Sequence, residues 1–286
     1  RFVYDASMPD DMFQFLIRKL KLKKSQNLIP GGRYHNFKDF ISFPDFGIEG
    51  LCYDKLPPLE SPDFSDYNRI FKAIKAKDIL LTYPFQKFHY VIDFLREAAI
   101  DPAVKAIKIN VYRVAENSKI MNALINAAQN GKQVTVILEL QARFDEKNNL
   151  YWSHKLQEEG CKVLFGIPKL KVHAKLISIE RLEHGKKVYY SHVGTGNFHE
   201  KNAKIYTDHS LLTADQKIGK EVSRVFKFLK NSYLLESFDH LLVSPFNTRQ
   251  VFVGLIDKEI ALAKKGKEAY IKLKLNNLQD TEMIQK

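Results

Sequence analysis

Cysteine is scarce in this sequence: of 286 residues only two are Cys, Cys52 and Cys161. Two thiols make neither a disulfide framework nor a zinc site by themselves, so a reducing, cytoplasmic home is the default. Long apolar runs are missing as well. None approaches the roughly 20 residues needed to cross a bilayer. The chain opens Arg-Phe-Val, with no Met and no signal-peptide pattern, which predicts a stretch excised from a longer protein. Acidic residues are in deficit, 33 Asp+Glu against 45 Lys+Arg, leaving a net charge of +12 and a pI near 9.4. That imbalance points to an anionic partner (nucleic acid, phosphorylated small molecule, inorganic polyanion or acidic lipid), or else to a plain Lys-rich soluble surface. What is present is core material. Hydrophobic residues make up 45% and there are 20 Phe, so the chain is globular and long enough for one large or two medium domains.

Residues 7–24 predict a helix, with Ser7 as N-cap, Asp10 and Asp11 in the first turn and Phe13, Leu16, Ile17 and Leu20 at helical spacing. Pro and Gly then recur from 29 to 62, which reads as a connector with a domain boundary near residue 60. Helices are expected over 86–99, 118–130, 150–159 and 215–230, the second and third stopped by Gly131 and Gly160. Strands are expected over 104–112, 133–140, 161–165, 172–179, 187–193 and 205–212. Such alternation predicts an α/β fold with a mixed, mostly parallel sheet and helices on both faces. There is also an internal repeat. Leu80-Leu81-Thr82-Tyr83-Pro84-Phe85 recurs 161 residues later as Leu241-Leu242-Val243-Ser244-Pro245-Phe246. After a helix, Ile107-Lys108-Ile109-Asn110-Val111 is echoed 164 residues later by Ile271-Lys272-Leu273-Lys274-Leu275. The shared order and nearly equal offset predict a duplication. A counterpart of His173 would fall beyond Lys286.

The sharpest chemical signal is Lys171-Val172-His173-Ala174-Lys175, an H-x-K on an apolar run. Period-two alternation would place Lys171, His173 and Lys175 on one strand face. Two neighbouring ammonium groups disfavour the imidazolium and keep the nucleophilic neutral ring, and the same cations can hold phosphate oxygens. A structural histidine is the plainer alternative. Gly194-Thr195-Gly196-Asn197 follows a strand, where backbone N–H groups can approach an anion and the Asn amide adds a donor. Glu180, five residues past Lys175, is expected to face away from His173 and receives no catalytic role. Arg113 and Arg143 each end a core strand, where ligands of parallel α/β sheets gather. Surface pairing with Glu116 and with Asp145 or Glu146 is the alternative for them.

H-x-K with a later G-[ST]-x-N is similar to the phospholipase D superfamily signature. The wider set resembles the ATP-dependent, long-chain polyphosphate kinase family more closely: Tyr112-Arg113-Val114-Ala115, Glu139-Leu140-Gln141-Ala142-Arg143-Phe144-Asp145-Glu146, the H-x-K run, Gly194-Thr195-Gly196-Asn197-Phe198, and Tyr206-Thr207-Asp208-His209-Ser210-Leu211-Leu212-Thr213-Ala214-Asp215. The resemblance implies phospholipase D-like catalytic domains, with residues 1–58 the tail of a helical domain, 59–240 a first catalytic domain and 241–286 the start of a second. It places the autophosphorylated histidine on His173, the two arginines of a magnesium-phosphate site on Arg113 and Arg143, and a nucleotide tyrosine on Tyr206. Lys175 and Asn197 fall on motif positions, from which phosphate binding is inferred. Arginine cannot ligate a cation, so any Mg²⁺ role must run through shared phosphate oxygens. Implied partners are ATP/ADP and inorganic polyphosphate in a homo-oligomer, with no specific nucleic acid; peripheral membrane association and the activity of this stretch alone stay open. Two rival readings remain. A phosphodiesterase or nuclease needs a second H-x-K, for which His184-Gly185-Lys186 and His199-Glu200-Lys201 match only the bare pattern. A non-catalytic polyanion-binding module needs no His173 chemistry.

Overall fold

Apolar residues at strand and helix periods build two units, Arg1–Leu56 and Pro57–Lys286. The computed structural model describes residues 2–22, 28–33, 40, 43–44, 46–51, 53–54, 56–139, 146–167 (Glu146 by its backbone only), 170–234, 236–275 and 277–286. In the first unit, β1 (Phe2–Asp5) pairs in parallel with β2 (Leu28–Gly31), with α1 (Asp10–Lys19) between them in sequence. The helix is shorter than expected at its start. Ser7 gives its hydroxyl to Asp5 Oδ1 at 2.6 Å, so the N-cap position falls to Pro9, which caps with no side chain. Residues 23 and 24 of the expected helix lie outside the described residues.

The second unit runs α2 (Ile70–Ala76), β3 (Ile79–Tyr83), α3 (His89–Ile100), β4 (Val104–Val111), α4 (Lys119–Gln129), β5 (Gln133–Leu138), α5 (Glu146–Glu158), β6 (Lys162–Phe165), β7 (Lys175–Glu183), β8 (Lys186–Gly194), β9 (Asp208–Thr213), α6 (Gln216–Lys230), α7 (Thr248–Lys264) and α8 (Thr281–Gln285). Seven strands form one sheet in the order β3-β9-β8-β7-β4-β5-β6. The mixed α/β class with helices on both faces is as expected, but fewer strands run parallel. Only β4–β5 and β5–β6 are parallel, and the other four neighbouring pairs are antiparallel. Chain connections explain the difference. Helices cross over between β4, β5 and β6, whereas β7 and β8 are joined by the two-residue turn His184 (φ 49°) and Gly185 (φ 73°). A link that short permits only antiparallel pairing, and its positive φ values suit the twist of the hairpin.

Alternation decides which face each residue covers. Ile107, Ile109 and Val111 of β4 are at most 2% exposed and lie in one core with Val91, Phe94 and Leu95 of α3 and Leu124 of α4. Each such side chain contributes roughly 1.5–3 kcal/mol by leaving water. On the other face, Val222, Val225 and Phe226 of α6 cover Ile137, Val172 and Leu176. Ser118 caps α4 by accepting the Met121 N–H at 3.3 Å, and Asp215 caps α6 by accepting the N–H groups of Lys217 and Ile218 at 2.7 and 2.9 Å. Among the described residues no helix is long and apolar enough to cross a membrane.

The repeat recurs as a shared turn. Thr82 N–H donates to Gln86 Oε1 at 2.7 Å, and Val243 N–H donates to Asn247 Oδ1 at 2.7 Å. Each turn is closed in return by a backbone bond, Gln86 N–H to Thr82 O at 2.9 Å and Asn247 N–H to Val243 O at 3.1 Å. Tyr83–Pro84 and Ser244–Pro245 are both cis, and a helix follows each turn. There the echo stops. Residues 271–275, which echo the β4 sequence, form no strand, and no neighbouring strand among the described residues offers them a ladder.

Candidate active site

The strand carrying the H-x-K starts later than its apolar run suggests. β7 begins at Lys175 rather than at 172, so His173 stands in the approach to the strand. Alternation breaks there: Lys171, His173 and Ala174 are exposed, while Lys175 is 4% exposed. Lys171, His173 and Lys175 therefore do not share one strand face. Lys175 meets His173 by folding back, its Nζ 3.2 Å from His173 Nδ1 and donating to His173 O at 2.5 Å. The β4–β7 ladder reaches Ile109–Ile177. Beyond it the side chain of Asn110, 1% exposed, takes over from the backbone. Its Nδ2 donates to Ala174 O, and its Oδ1 accepts the Leu176 N–H at 2.7 Å. The turn that presents His173 is thus held by an amide from the neighbouring strand.

Tyr112, directly after β4, is the hub of the site. Its ring meets the His173 ring edge-on, with centroids 5.5 Å apart. Three cations lie over it: Lys171 Nζ at 5.0 Å, Arg113 Cζ at 5.7 Å and Lys175 Nζ at 5.8 Å from the ring centroid. The quadrupole of an aromatic face favours such placements and lets like charges gather closer than water alone would. Helix α5 fixes this strand end from behind. Asn149 Nδ2 donates to Tyr112 O at 3.0 Å and to Glu139 O at 2.8 Å, Asn148 Nδ2 to Val114 O at 2.7 Å, and Trp152 Nε1 to Ala115 O at 3.2 Å.

The Gly-Thr-Gly-Asn turn is brought in by strand pairing, since Lys175 lies opposite Gly194 across β7 and β8. Thr195 Oγ1 donates to Asp208 Oδ1 at 2.8 Å and accepts the His209 N–H at 2.9 Å. Gly196 is required by space: a Cβ there would stand 2.5 Å from Asp208 Oδ2. Asn197 is half-buried, and its Oδ1 has no hydrogen-bond partner among the described residues. Beneath the turn, His192 is 1% exposed with Nε2 2.7 Å from Ser210 Oγ, and burial pushes its pKa down to about 4.

Electrostatics favour a neutral His173. The surrounding protein desolvates the ring although one edge stays open, and Lys175 and then Lys171 add repulsion; together these hold its pKa below the ordinary 6.5. Burial brings Lys175 down to about 8, against the pull of Asp208 and with help from Lys171.

Of the residues expected from sequence, His173, Lys175, Lys171 and Arg113 come together, and the Asn197 turn is linked to them through β8. Tyr206 stands apart. Its side chain is 58% exposed, and no hydrogen bond or ring contact joins it to the His173 group among the described residues. Arg143 and Asp145 lie outside the described residues. Glu180 pairs with Lys187 at 2.7 Å, away from His173 as expected. Both spare H-x-K patterns begin outside strands, His184 in the hairpin turn and His199 in the loop after β8. Among the described residues no three His, Cys, Asp or Glu side chains gather as a metal cage. Cys161 is a buried free thiol, pushed up to about 11 by burial, while Cys52 lies outside the described residues. Tyr112, Asn110, Asn149 and Asp208 were missed as site residues. Asn110 did carry a signal, a polar side chain inside an otherwise buried strand.

The fold and site define a mixed α/β protein with an exposed histidine, its pKa lowered by desolvation and by Lys175 and Lys171, set among cations and near a glycine turn, an arrangement suited to anions. Comparison narrows this. The family described as polyphosphate kinase C-terminal domain 1 matches residues 69–235, and polyphosphate kinase C-terminal domain 2 matches 241–286. Polyphosphate kinase of Vibrio parahaemolyticus serotype O3:K6 is 54% identical over 284 residues, 99% of this chain and 41% of that protein. The Escherichia coli K12 polyphosphate kinase is 50% identical over 286 residues, covering 99% of this chain and 42% of its own length. The crystal structure of polyphosphate kinase from Porphyromonas gingivalis superposes with a TM-score of 0.81 at 37% identity, over 100% of this chain and 46% of that one. The chain belongs to the polyphosphate kinase family, and it spans about two-fifths of the length of the curated relatives it matches.

Proposed function

We propose that this chain carries the phosphoryl-accepting centre of a polyphosphate kinase, with His173 as the nucleophile. Residues 59–240 are then a first catalytic domain, 241–286 the start of a second, and 1–58 the end of a preceding domain. The observation that supports the reading best is the His173 ring itself. Desolvation and the charges of Lys175 and Lys171 lower its pKa, which favours the neutral form, and it stands with Nδ1 beside Lys175 and Nε2 without a hydrogen-bond partner among the described residues.

In the first step His173 Nε2 attacks the γ-phosphorus of ATP. The bond from γ-phosphorus to the bridging oxygen breaks, ADP leaves with the electron pair, and an N–P bond forms. Lys175 keeps the resting ring neutral as an ammonium; with its pKa drawn down to about 8 it can release a proton to solvent and, as the amine, accept the Nδ1–H hydrogen bond that attack through Nε2 requires. A terminal oxygen of a phosphate chain then attacks the phosphohistidine and regenerates the neutral ring. Lys171 and Arg113, with Arg143 by resemblance, stabilise the equatorial oxygens, while Tyr206 serves the nucleotide. Magnesium supplies charge neutralisation as part of the nucleotide substrate.

The test is labelling of the full-length protein with γ-³²P-ATP. Acid-labile label on the wild type and none on His173→Ala is the expected result. Label persisting in the variant would remove the nucleophile assignment, and cleavage of DNA or phospholipid without ATP would favour a phosphodiesterase.

A further inference from the structure

A second cationic site lies away from His173. Lys108 of β4 is half-buried on the α6 face of the sheet, between Thr135 of β5 and Ser178 of β7 in the ladder. The only hydrogen bond of its side chain among the described residues is a long one, 3.5 Å from Nζ to Ser223 Oγ. With Lys162, Lys227 and Lys230 it lines a cavity of about 470 Å³ whose walls include no Asp or Glu. None of the four lysines has an ion pair among the described residues. The carboxylate that pulls on Lys108, Glu180, is tied to Lys187 at 2.7 Å, and burial followed by repulsion from Lys187, Lys227 and Lys230 lowers the Lys108 pKa. A half-buried ammonium facing further ammonium groups with no anion between them is an unbalanced arrangement.

The cavity opens where β5 and β6 begin, at Gln133 and Lys162, under the last turn of α6. His173 and Tyr112 sit at the opposite strand ends, roughly 15 Å away along the strands. We propose that this cavity is a separate binding site for an inorganic condensed-phosphate chain. Four point charges on β4, β6 and α6 surround room for roughly 15 waters, more than a single phosphate fills. Lysine suits a chain whose oxygens present no fixed bidentate edge. A nucleobase finds nothing to stack on, since the aromatic residue in the wall, Phe226, is 3% exposed. The site does not depend on the His173 chemistry.

Calorimetric titration of the 286-residue chain with tripolyphosphate tests this, with orthophosphate, ATP and oligo-dT as separate arms. Two classes of tripolyphosphate site are expected, and His173→Ala should keep the lysine-cavity class. Lys227→Glu with Lys230→Glu should weaken that class at least tenfold. Lys217→Glu with Lys220→Glu, an equal charge change at the other end of α6, should change it less than twofold. Lys162→Ala on the facing strand is the second probe, and thermal melting checks that each variant folds. Equal loss in the two double variants, or no loss with Lys162→Ala, would overturn the site. So would ATP or oligo-dT binding there as tightly as tripolyphosphate, which would make the cavity a nucleotide site or a general polyanion patch.

Discussion

An imidazole beside two ammonium groups is a poor base and, for the same reason, an available nucleophile. Lys175→Met keeps the length of the side chain and removes its charge. Taking away a neighbouring positive charge favours the imidazolium, so the His173 titration followed by NMR should move up towards the ordinary 6.5. A midpoint that stays put or falls would show that Lys175 does not tune the ring. His173 stood out in the sequence, because an H-x-K in an apolar run advertises itself. How Lys175 reaches it was not. Strand alternation put Lys171, His173 and Lys175 on one face, but the strand starts at Lys175, three residues later than expected, and contact is made by a buried lysine folding back. Such a reversal depends on where a ladder ends, which local sequence does not encode. The hub role of Tyr112 was likewise hidden, since a tyrosine at a strand end has many uses until the cations above it are placed.

Among the elements, the strands hold the site more through side-chain amides than through their ladders. Asn110→Ala removes the two bonds that bind β4 to the turn carrying His173, leaving Ala174 O and Leu176 N–H short of partners. A loss of about 2 kcal/mol in unfolding free energy is expected by denaturant titration, with phosphoenzyme formation slowed while ATP affinity holds. Unchanged stability would mean that the bonds are replaced by water. Glu221 of α6 anchors the start of the second repeat. At 1% exposed it accepts the N–H groups of Asp239, His240 and Leu241 and faces His240 Nδ1 at 3.0 Å. Against the opposing effect of burial, these donors bring its pKa down to about 2. The stabilisation is therefore present above the usual carboxylate range and lost as pH falls from about 4.5 towards 2. Glu221→Gln should cost about 3 kcal/mol at neutral pH and flatten that part of the acid-unfolding curve; a variant with wild-type acid sensitivity would refute the assignment. Helices α3, α4 and α6 were readable in the sequence to within a few residues, α4 with its stop at Gly131. The hairpin turn was not, and with it went the balance between parallel and antiparallel pairing.

For the whole molecule, charge was the earliest clue and the least specific. An excess of +12 says anion without saying where, whereas the fold sorts lysines into a cluster over Tyr112 and another under the end of α6. If binding of a long phosphate chain releases counterions from about four contacts, affinity should drop roughly a hundredfold between 50 and 200 mM salt. An affinity indifferent to salt would argue that contacts other than charge dominate.

The matching turns at Thr82–Gln86 and Val243–Asn247 bear on ancestry. Gln86 and Asn247 differ by one methylene yet offer the same carbonyl to an N–H four positions earlier. What the two turns share is an acceptor in a fixed spot, not a particular side chain. With the bend secured that way, neighbours such as Thr82 and Val243, or Tyr83 and Ser244, were free to diverge.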